Sequence, residues 1–527
     1  MNSVHRRSLQ LSNEQCIVAG VLLLSLGLRI MWLHLPIHPD EGEAGYNAML
    51  WSRGDVPYVS RPMDKPPLMY FMYLLPISLL GNSIIPVRLL NDILFILSAL
   101  TLYLIARDWY NRRVALAALV FYGVFMSVPA IEGPFAQASS LSLPFVIFSM
   151  YFFARFVRNG SRAHLFYSGL SASMASLVYQ QGAVVVILLI VLSTFAGCRL
   201  HRQDSKPKLP ILRELMGMVL PMTVGFALPM LAFLAYFSVH NGLHDLIRCT
   251  VVKFLGSDVA VARSQELSFD WTFLTIIEAL PLLALAVYGF IMCVQRRSER
   301  YLWLIGWALI SSILLCVQAR YFGHYFQILV PPASILSGIA IDSVINAVGT
   351  KMPKHRAKAA ADIAVSAIAI LGFIASIYFQ ARQYPNFAIR WEQDFAHRIQ
   401  AEVSWNPSAF NYDDQMRLAH YLDEIHIKDG ELLAHGWMPS AYWLTGAKAP
   451  SVHLCTVREW SPLTEEEYER LLQMVKQRSF KCVVLQHEIP PGDPIAACTL
   501  TTYTYVGTIG DVDIFTDYPR VGGATID

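Results

Sequence analysis

Ionisable residues crowd the stretch from His38 to Arg88, where Asp40-Glu41 stand just after a first apolar run and Asp64-Lys65-Pro66-Pro67 follow. Charge at the mouth of an apolar segment is costly unless it serves water, lipid headgroups or a site. A carboxylate such as Asp40 at a water-filled mouth can act as general base on a hydroxyl, a contribution of roughly 10² to 10⁴ in rate. Glu41 is its acidic neighbour, able to share or tune that role. Cations at the same mouth, Lys65, Arg88, Arg320 and His324, suit a phosphate whose negative charge grows as it leaves a sugar carbon. Glu132, Gln180 and Tyr325 are further candidates for substrate contact. Asp64 is the one weak candidate metal ligand, since no His lies near it in sequence.

The elements that must position these groups are membrane spans. Of 527 residues, 55% are hydrophobic and only 15% charged, against roughly 25% charged in an ordinary soluble protein. The net charge of +2 offers no electrostatic footprint for nucleic acid. Apolar runs able to span occur near 17–35, 84–106, 114–130, 138–157, 163–179, 182–198, 211–238, 271–294, 301–317, 326–346 and 360–379, about eleven spans. Arg6-Arg7 before the first run suggests a secretory leader, but no small-residue cleavage site follows, and a retained first span is expected.

With the N-terminus in the cytoplasm, the inward connections hold Arg107 with Arg112-Arg113, Arg155 with Arg158 and Arg162, Arg199 to Arg213, Arg296 to Arg300, and Lys351 to Lys358. That places roughly twenty Lys and Arg inside against fewer than about ten in short outward loops, as the positive-inside bias requires. The run Pro67–Leu80 is left out of the count. As a helix it covers roughly 24 Å at most, short of a bilayer core of about 30 Å, and its Tyr70, Phe71 and Tyr73 suit an outer interface. This topology puts all the candidate residues on one, outward, face.

After residue 382 the composition changes: charges, Pro, Gly and Trp replace spanning runs. The chain divides into a polytopic all-α membrane domain, 1–382, whose outer loop 36–83 is catalytic, and a soluble α/β domain, 383–527, outside the cytoplasm. In the latter, Cys482 to Gln486 and Tyr503 to Ile509 read as strands. Asp413 to Ile425 and Thr464 to Arg478 read as helices, the second opening with Thr464 and Glu467 at capping-box spacing. Cys455, Cys482 and Cys498 allow a disulfide in an oxidising compartment.

A lipid-linked sugar phosphate fits this environment: its chain stays in the bilayer while the headgroup reaches the outer mouth. No Gly-rich phosphate loop of either common pattern occurs. A transporter or flippase of lipid-linked sugar is the rival class, although it would place ionisable groups near mid-membrane rather than at the mouth. A non-catalytic membrane scaffold is the third.

The motif His38-Pro39-Asp40-Glu41-Gly42, with Gly54-Asp55-Val56-Pro57-Tyr58, Lys65-Pro66-Pro67-Leu68, Gly81 and Val87-Arg88-Leu89, resembles the start of GT-C glycosyltransferases of the protein O-mannosyltransferase superfamily (glycosyltransferase family 39). Bacterial members similar to rhizobial galacturonosyltransferases and the lipid A aminoarabinose transferase are the nearest in pattern. Arg320 to Tyr325 with Pro331-Pro332, and His435-Gly436-Trp437 through Tyr442, resemble later segments of that group.

The resemblance implies a GT-C fold and an inverting transfer from a polyprenyl-phosphate sugar to a lipid, glycan or protein acceptor at the outer face of the inner (plasma) membrane. Asp40 matches the catalytic base, Glu41 its acidic neighbour and Lys65 the lysine that approaches the lipid phosphate. Asp64 matches a metal-binding glutamate, so a divalent ion is conceivable and no other cofactor is implied. Two positions depart from the pattern. Ala138-Ser139-Ser140 stands where many relatives carry an acidic residue, for which Glu132 is a substitute, and Gln180-Gln181 stands where many carry Lys-Gln.

Overall fold

A computed structural model describes residues 13–30, 32–127, 131–185, 188–189, 211–252, 269–296, 298–318, 323–349, 412–458 and 463–517. Arg320, the expected span at 360–379 and most of that at 182–198 lie outside the described residues. Among the described residues twelve α-helices come before the α/β part: α1 Asn13–Ile30, α2 Pro39–Ser52, α3 Pro67–Leu80, α4 Ile84–Trp109, α5 Arg112–Phe125, α6 Ala138–Asn159, α7 Arg162–Val178, α8 Ile211–Val239, the short α9 Leu243–Ile247, α10 Phe269–Arg296, α11 Glu299–Gln318 and α12 Val330–Gly349. Among the described residues, six helices are long and apolar enough to cross a membrane, and the chain is a multi-pass membrane protein.

Two expected spans take a different form. The helix of the 114–130 run, α5, has 14 residues, and every residue from Val114 to Phe125 is buried. At 1.5 Å per residue it covers about 21 Å, so its apolar sequence reflects enclosure by α1, α4 and α12 rather than contact with lipid. The same ambiguity attaches to any short run that is apolar all round. Helix α7 has 17 residues and packs between α6 and α8. Gly169 and Gly225 let those backbones close: a Cβ on either would stand within about 2 Å of a carbonyl oxygen on the facing helix.

The outer segment 36–83, read from sequence as a loop, contains two helices. Helix α3 is the short helix expected there; α2 was not foreseen. Its residues are polar and small, but Pro39 pre-sets the first turn, the His38 Nδ1 accepts from the Asp40 N–H at 3.1 Å, and the Glu41 carboxylate accepts from the His38 N–H at 3.1 Å. This is a capping box with histidine in the place usual for Ser or Thr.

Beyond residue 411 the described chain forms α13 Tyr412–Glu424, β1 Leu432–His435, α14 Pro439–Thr445, α15 Glu465–Lys476, β2 Cys482–Gln486, α16 Pro494–Thr502, β3 Thr504–Ile509 and β4 Val512–Thr516. The sheet order is β1-β2-β4-β3, with β1 and β2 parallel and the other pairs antiparallel. Side chains alternate between its faces as the two-residue strand period demands. Leu433, Val483, Leu485 and Phe515 pack with α15 and α16, whereas Leu432, Val484 and Ile514 face the cluster containing α13, α14 and α2. Thr464 and Glu467 make the reciprocal bonds of a capping box. Cys455, Cys482 and Cys498 are unpaired cysteines.

This α/β part sits directly on α2. Helix α14 crosses it at two glycines: a Cβ on Gly42 would meet the Ser440 nitrogen at 2.9 Å, and one on Gly45 would meet the Trp443 ring at 2.3 Å. Gln415 grips both backbone polar groups of Ile37, and the Ala449 N–H donates to the Tyr46 hydroxyl at 2.9 Å.

Candidate active site

Asp40 and Glu41 occupy consecutive positions in the first turn of α2, so their side chains leave the helix about 100° apart. Glu41 points inward and is wholly buried. Its Oε2 lies 2.5 Å from Nη2 of Arg88, its Oε1 accepts from Arg88 Nε at 3.1 Å, and Oε1 also accepts from the Ala136 N–H at 2.7 Å. Arg88 in turn donates to the carbonyls of Leu33, Leu35 and Pro36 at 2.7 to 2.9 Å and lies over the Phe135 ring. Its guanidinium is therefore saturated by protein groups. This corrects the expectation of a phosphate ligand at Arg88: the pair ties α2, α4 and the segment 131–137 into one unit.

A second buried pair serves the same segment. Arg29 of α1 bonds Asp92 of α4 at 2.6 Å and donates to the carbonyls of Met126 and Gly133, while the Asn91 amide donates to the carbonyls of Gly133, Pro134 and Phe135. Sequence reading passed over these three residues. The signal was present, since a charge inside an otherwise apolar span asks for a partner.

Held in this way, the segment 131–137 presents Glu132, whose backbone is left-handed at φ 56°. Its carboxylate accepts from Gln137 Nε2 at 2.9 Å and pairs with His324 Nδ1 at 2.9 Å. Burial pushes the Glu132 carboxyl up, but His324, His38 and Gln137 outweigh it and hold the group below its ordinary range. His324 lies against Tyr325, their ring centroids 4.3 Å apart, and the Tyr179 hydroxyl accepts from Gln181 Nε2.

Asp40 points outward, with 31% of its side chain exposed and His38 Nδ1 4.0 Å away. Burial pushes its carboxyl up, yet the nearby charges of His38, Lys65 and His324 more than compensate, so it titrates below its usual range. Lys65 is the opposing cation. Burial lowers its basicity, but Asp64 and Asp40 raise it further, keeping the ammonium charged.

Its loop is clasped by aromatics: the Tyr58 hydroxyl donates to the Lys65 carbonyl at 2.7 Å, and the Lys65 N–H donates to the Tyr70 hydroxyl at 3.3 Å. Pro66 and Pro67 then start α3 without needing an N–H partner. Gln180 donates to the Asp64 carbonyl at 2.5 Å, so it braces the lysine loop.

Glu43, one turn beyond Asp40, was not among the expected site residues. Burial and the neighbouring Asp64 push its carboxyl up to about 7, against the opposing pull of Arg61 and Lys65. Asp64 is paired with Lys65, a cation, which is the wrong neighbour for a metal ligand. Among the described residues, no three His, Cys, Asp or Glu converge on a point that could hold a metal.

Asp40, Lys65 and His324 thus come from three separate parts of the chain, the charges of the latter two acting on Asp40, with Glu132 paired to the histidine. The arrangement sets an ionised, partly exposed carboxylate near a permanently charged lysine.

Residues 64–237 match the family model described as dolichyl-phosphate-mannose-protein mannosyltransferase. No curated protein matches the chain significantly in sequence. Among solved structures the chain is similar to ArnT from Cupriavidus metallidurans bound to undecaprenyl phosphate, with a TM-score of 0.64 at 14% identity over 97% of this chain and 99% of that one. It is also similar to the archaeal oligosaccharyltransferase AglB from Archaeoglobus fulgidus in complex with an inhibitory peptide and a dolichol-phosphate, with a TM-score of 0.53 at 12% identity over 96% of this chain and 74% of that one. At such identities the likeness is one of fold.

Proposed function

We propose that this chain, a glycosyltransferase of the GT-C superfamily, moves a sugar from a polyprenyl-phosphate donor to an acceptor hydroxyl at the extracytoplasmic face of the inner membrane, inverting the anomeric centre. The observation that carries the reading is the Asp40–Lys65–His324 mouth: one carboxylate free of the buried ion pairs, set against a lysine and a histidine. Both structural neighbours are complexes with a polyprenyl phosphate, which supports a lipid-linked donor here.

In this mechanism the Asp40 carboxylate takes the proton of the acceptor hydroxyl as its oxygen attacks the anomeric carbon. The bond from that carbon to the phosphate oxygen breaks on the opposite side, and the electron pair leaves with the lipid phosphate. Lys65 stabilises the growing charge, as a preorganised cation in a partly dry site should. His324, oriented by Glu132, supplies a second donor, and Tyr325 with Tyr179 lines the same side. Glu41 and Arg88 act by holding α2 rather than by touching substrate. No step is routed through a metal.

Glu43 is a second candidate for the base, because a carboxyl near 7 is better matched to proton transfer at neutral pH than one held low. Purified protein in nanodiscs, given a panel of radiolabelled polyprenyl-phosphate sugars and a membrane extract, decides the matter. Loss of transfer in Asp40→Asn with normal insertion supports Asp40. Full transfer by that variant refutes it, and loss in Glu43→Gln alone assigns the base to Glu43.

A further inference from the structure

A cavity of about 300 Å³ lies between α2, the loop that follows it and the docked α/β part. None of Asp40, Lys65 or His324 lines it. Its walls bring Arg61 from the loop to face Lys448 and Arg470 from the α/β part, with Tyr46 of α2 between them.

Among the described residues, two of the three cations are hydrogen-bonded or closely paired, while Arg61 has only a long ion pair with Glu43. Lys448 pairs with Asp55 at 2.9 Å, and Arg470 donates to the Pro450 carbonyl at 3.3 Å. The carboxylate of Glu467, also on the wall, is held in the α15 capping box by Thr464. Arg61 differs. Its side chain is only 6% exposed, its Nε and Nη1 are buried without a hydrogen-bond partner, and the carboxylate of Glu43 stops 3.9 Å from Nη2, beyond hydrogen-bond reach. The guanidinium lies 5.2 Å from the Tyr46 ring centroid, which holds it in place. A buried guanidinium with unmet donors is unfavourable as it stands and is the side chain best shaped to receive an oxyanion.

We propose that this cavity is a subsite for an oxyanion, a phosphate or a carboxylate, carried by the acceptor substrate. The acceptor assignment rests on the glycosyl-transfer reading above. Position supports it. Asp40, Glu43 and Tyr46 follow one another at three-residue intervals along α2, rising about 9 Å and winding about 120° around the helix from the first to the last. A glycan or glycolipid headgroup bound by its anion at Arg61 can thus extend a hydroxyl to Asp40. Because α2 supplies one wall and the α/β part the other, the subsite exists only while the two are docked.

The test titrates the full-length chain, in nanodiscs of zwitterionic lipid, with glucose 1-phosphate, glucuronate and uncharged glucose by calorimetry. The expected result is binding of an anionic probe and not of glucose, weakened about tenfold or more by Arg61→Gln and by Arg470→Ala, as for loss of a charge-assisted bond. Arg470 is exposed, so its variant folds even if the buried Arg61 variant does not.

Tighter binding of glucose 1-phosphate assigns a phosphorylated acceptor, and tighter glucuronate an acidic sugar. Lys65→Ala should keep this binding while losing undecaprenyl phosphate. Equal binding of glucose, indifference to both arginine variants, or displacement of the probe by undecaprenyl phosphate overturns the proposal. Intact anion binding in a protein that transfers no sugar overturns only the transfer reading.

Discussion

Two adjacent carboxylates in one helical turn have opposite surroundings. Glu41 has no exposed surface and is matched by Arg88, two backbone N–H groups and a closed corner of α4. Asp40, one residue earlier, keeps 31% of its side chain open and faces charges that belong to distant parts of the chain. A saturated pair is a fastener, because every donor and acceptor is already occupied. An incompletely satisfied carboxylate opposite a lysine is available for chemistry. The DE motif therefore combines a structural and a reactive residue, and which is which follows from the 100° turn between them.

The largest test of this contrast is Asp40→Asn, expected to lower transfer by roughly 10² to 10⁴ with an unchanged melting temperature in detergent. A comparable fall in stability would remove the distinction. Glu41→Gln should do the reverse. Leaving Arg88 buried without its counter-ion costs about 3–5 kcal/mol, read as a lower thermal midpoint and reduced yield, and any protein that folds should keep donor binding.

Gly45→Ala asks whether the reactive side depends on the docked α/β part. The added methyl meets the Trp443 ring at 2.3 Å, and such overpacking typically costs about 1–3 kcal/mol. Faster proteolysis of the α/β part with loss of transfer is the expected outcome, measured by limited digestion.

The smallest effect is on pH dependence. Asp40 is held low, so it is already ionised throughout the working range and adds no limb there. Glu43, raised to about 7, loses its proton as pH rises through neutrality. With Asp40 as the base, kcat/KM should show no acid limb near pH 7; a limb there in the wild type, with transfer lost in Glu43→Gln, assigns the proton transfer to Glu43 instead.

Much of the molecule was legible in advance, for reasons that can be named. Strand β2 was readable as a short continuous apolar run and the α15 capping box from its Thr–Glu spacing, since both signals act over a few residues. Lys65 stood out as a cation at the outer mouth because residue type and its place beside an apolar run can be read locally. Helix α2 escaped because its stability comes from a histidine cap and from contact with α14, neither of which leaves an apolar periodicity. Strand β1 has only four residues, and β4, though as long as β2, carries Asp513 where β2 is a continuous apolar run.

Arg88 shows the limit at the site itself. Its type and its place at a helix end fit a phosphate ligand, and only the approach of Glu41 and three carbonyls made it structural.

What the chain determined by itself is its solvent and its inventory: a low charge fraction and long apolar runs commit it to a bilayer, and the spacing of Lys and Arg orders the expected topology. It also supplied the acidic pair and the lysine, because residue type sets what proton transfer or charge stabilisation is possible. Tertiary structure decided their division of labour. Burial and partnership depend on which distant segments meet, and an ionisable group is fastener or reagent according to whether its hydrogen-bonding capacity is already filled. Glu41 met Arg88, Asp40 met Lys65 and His324, and Arg61 met a cavity.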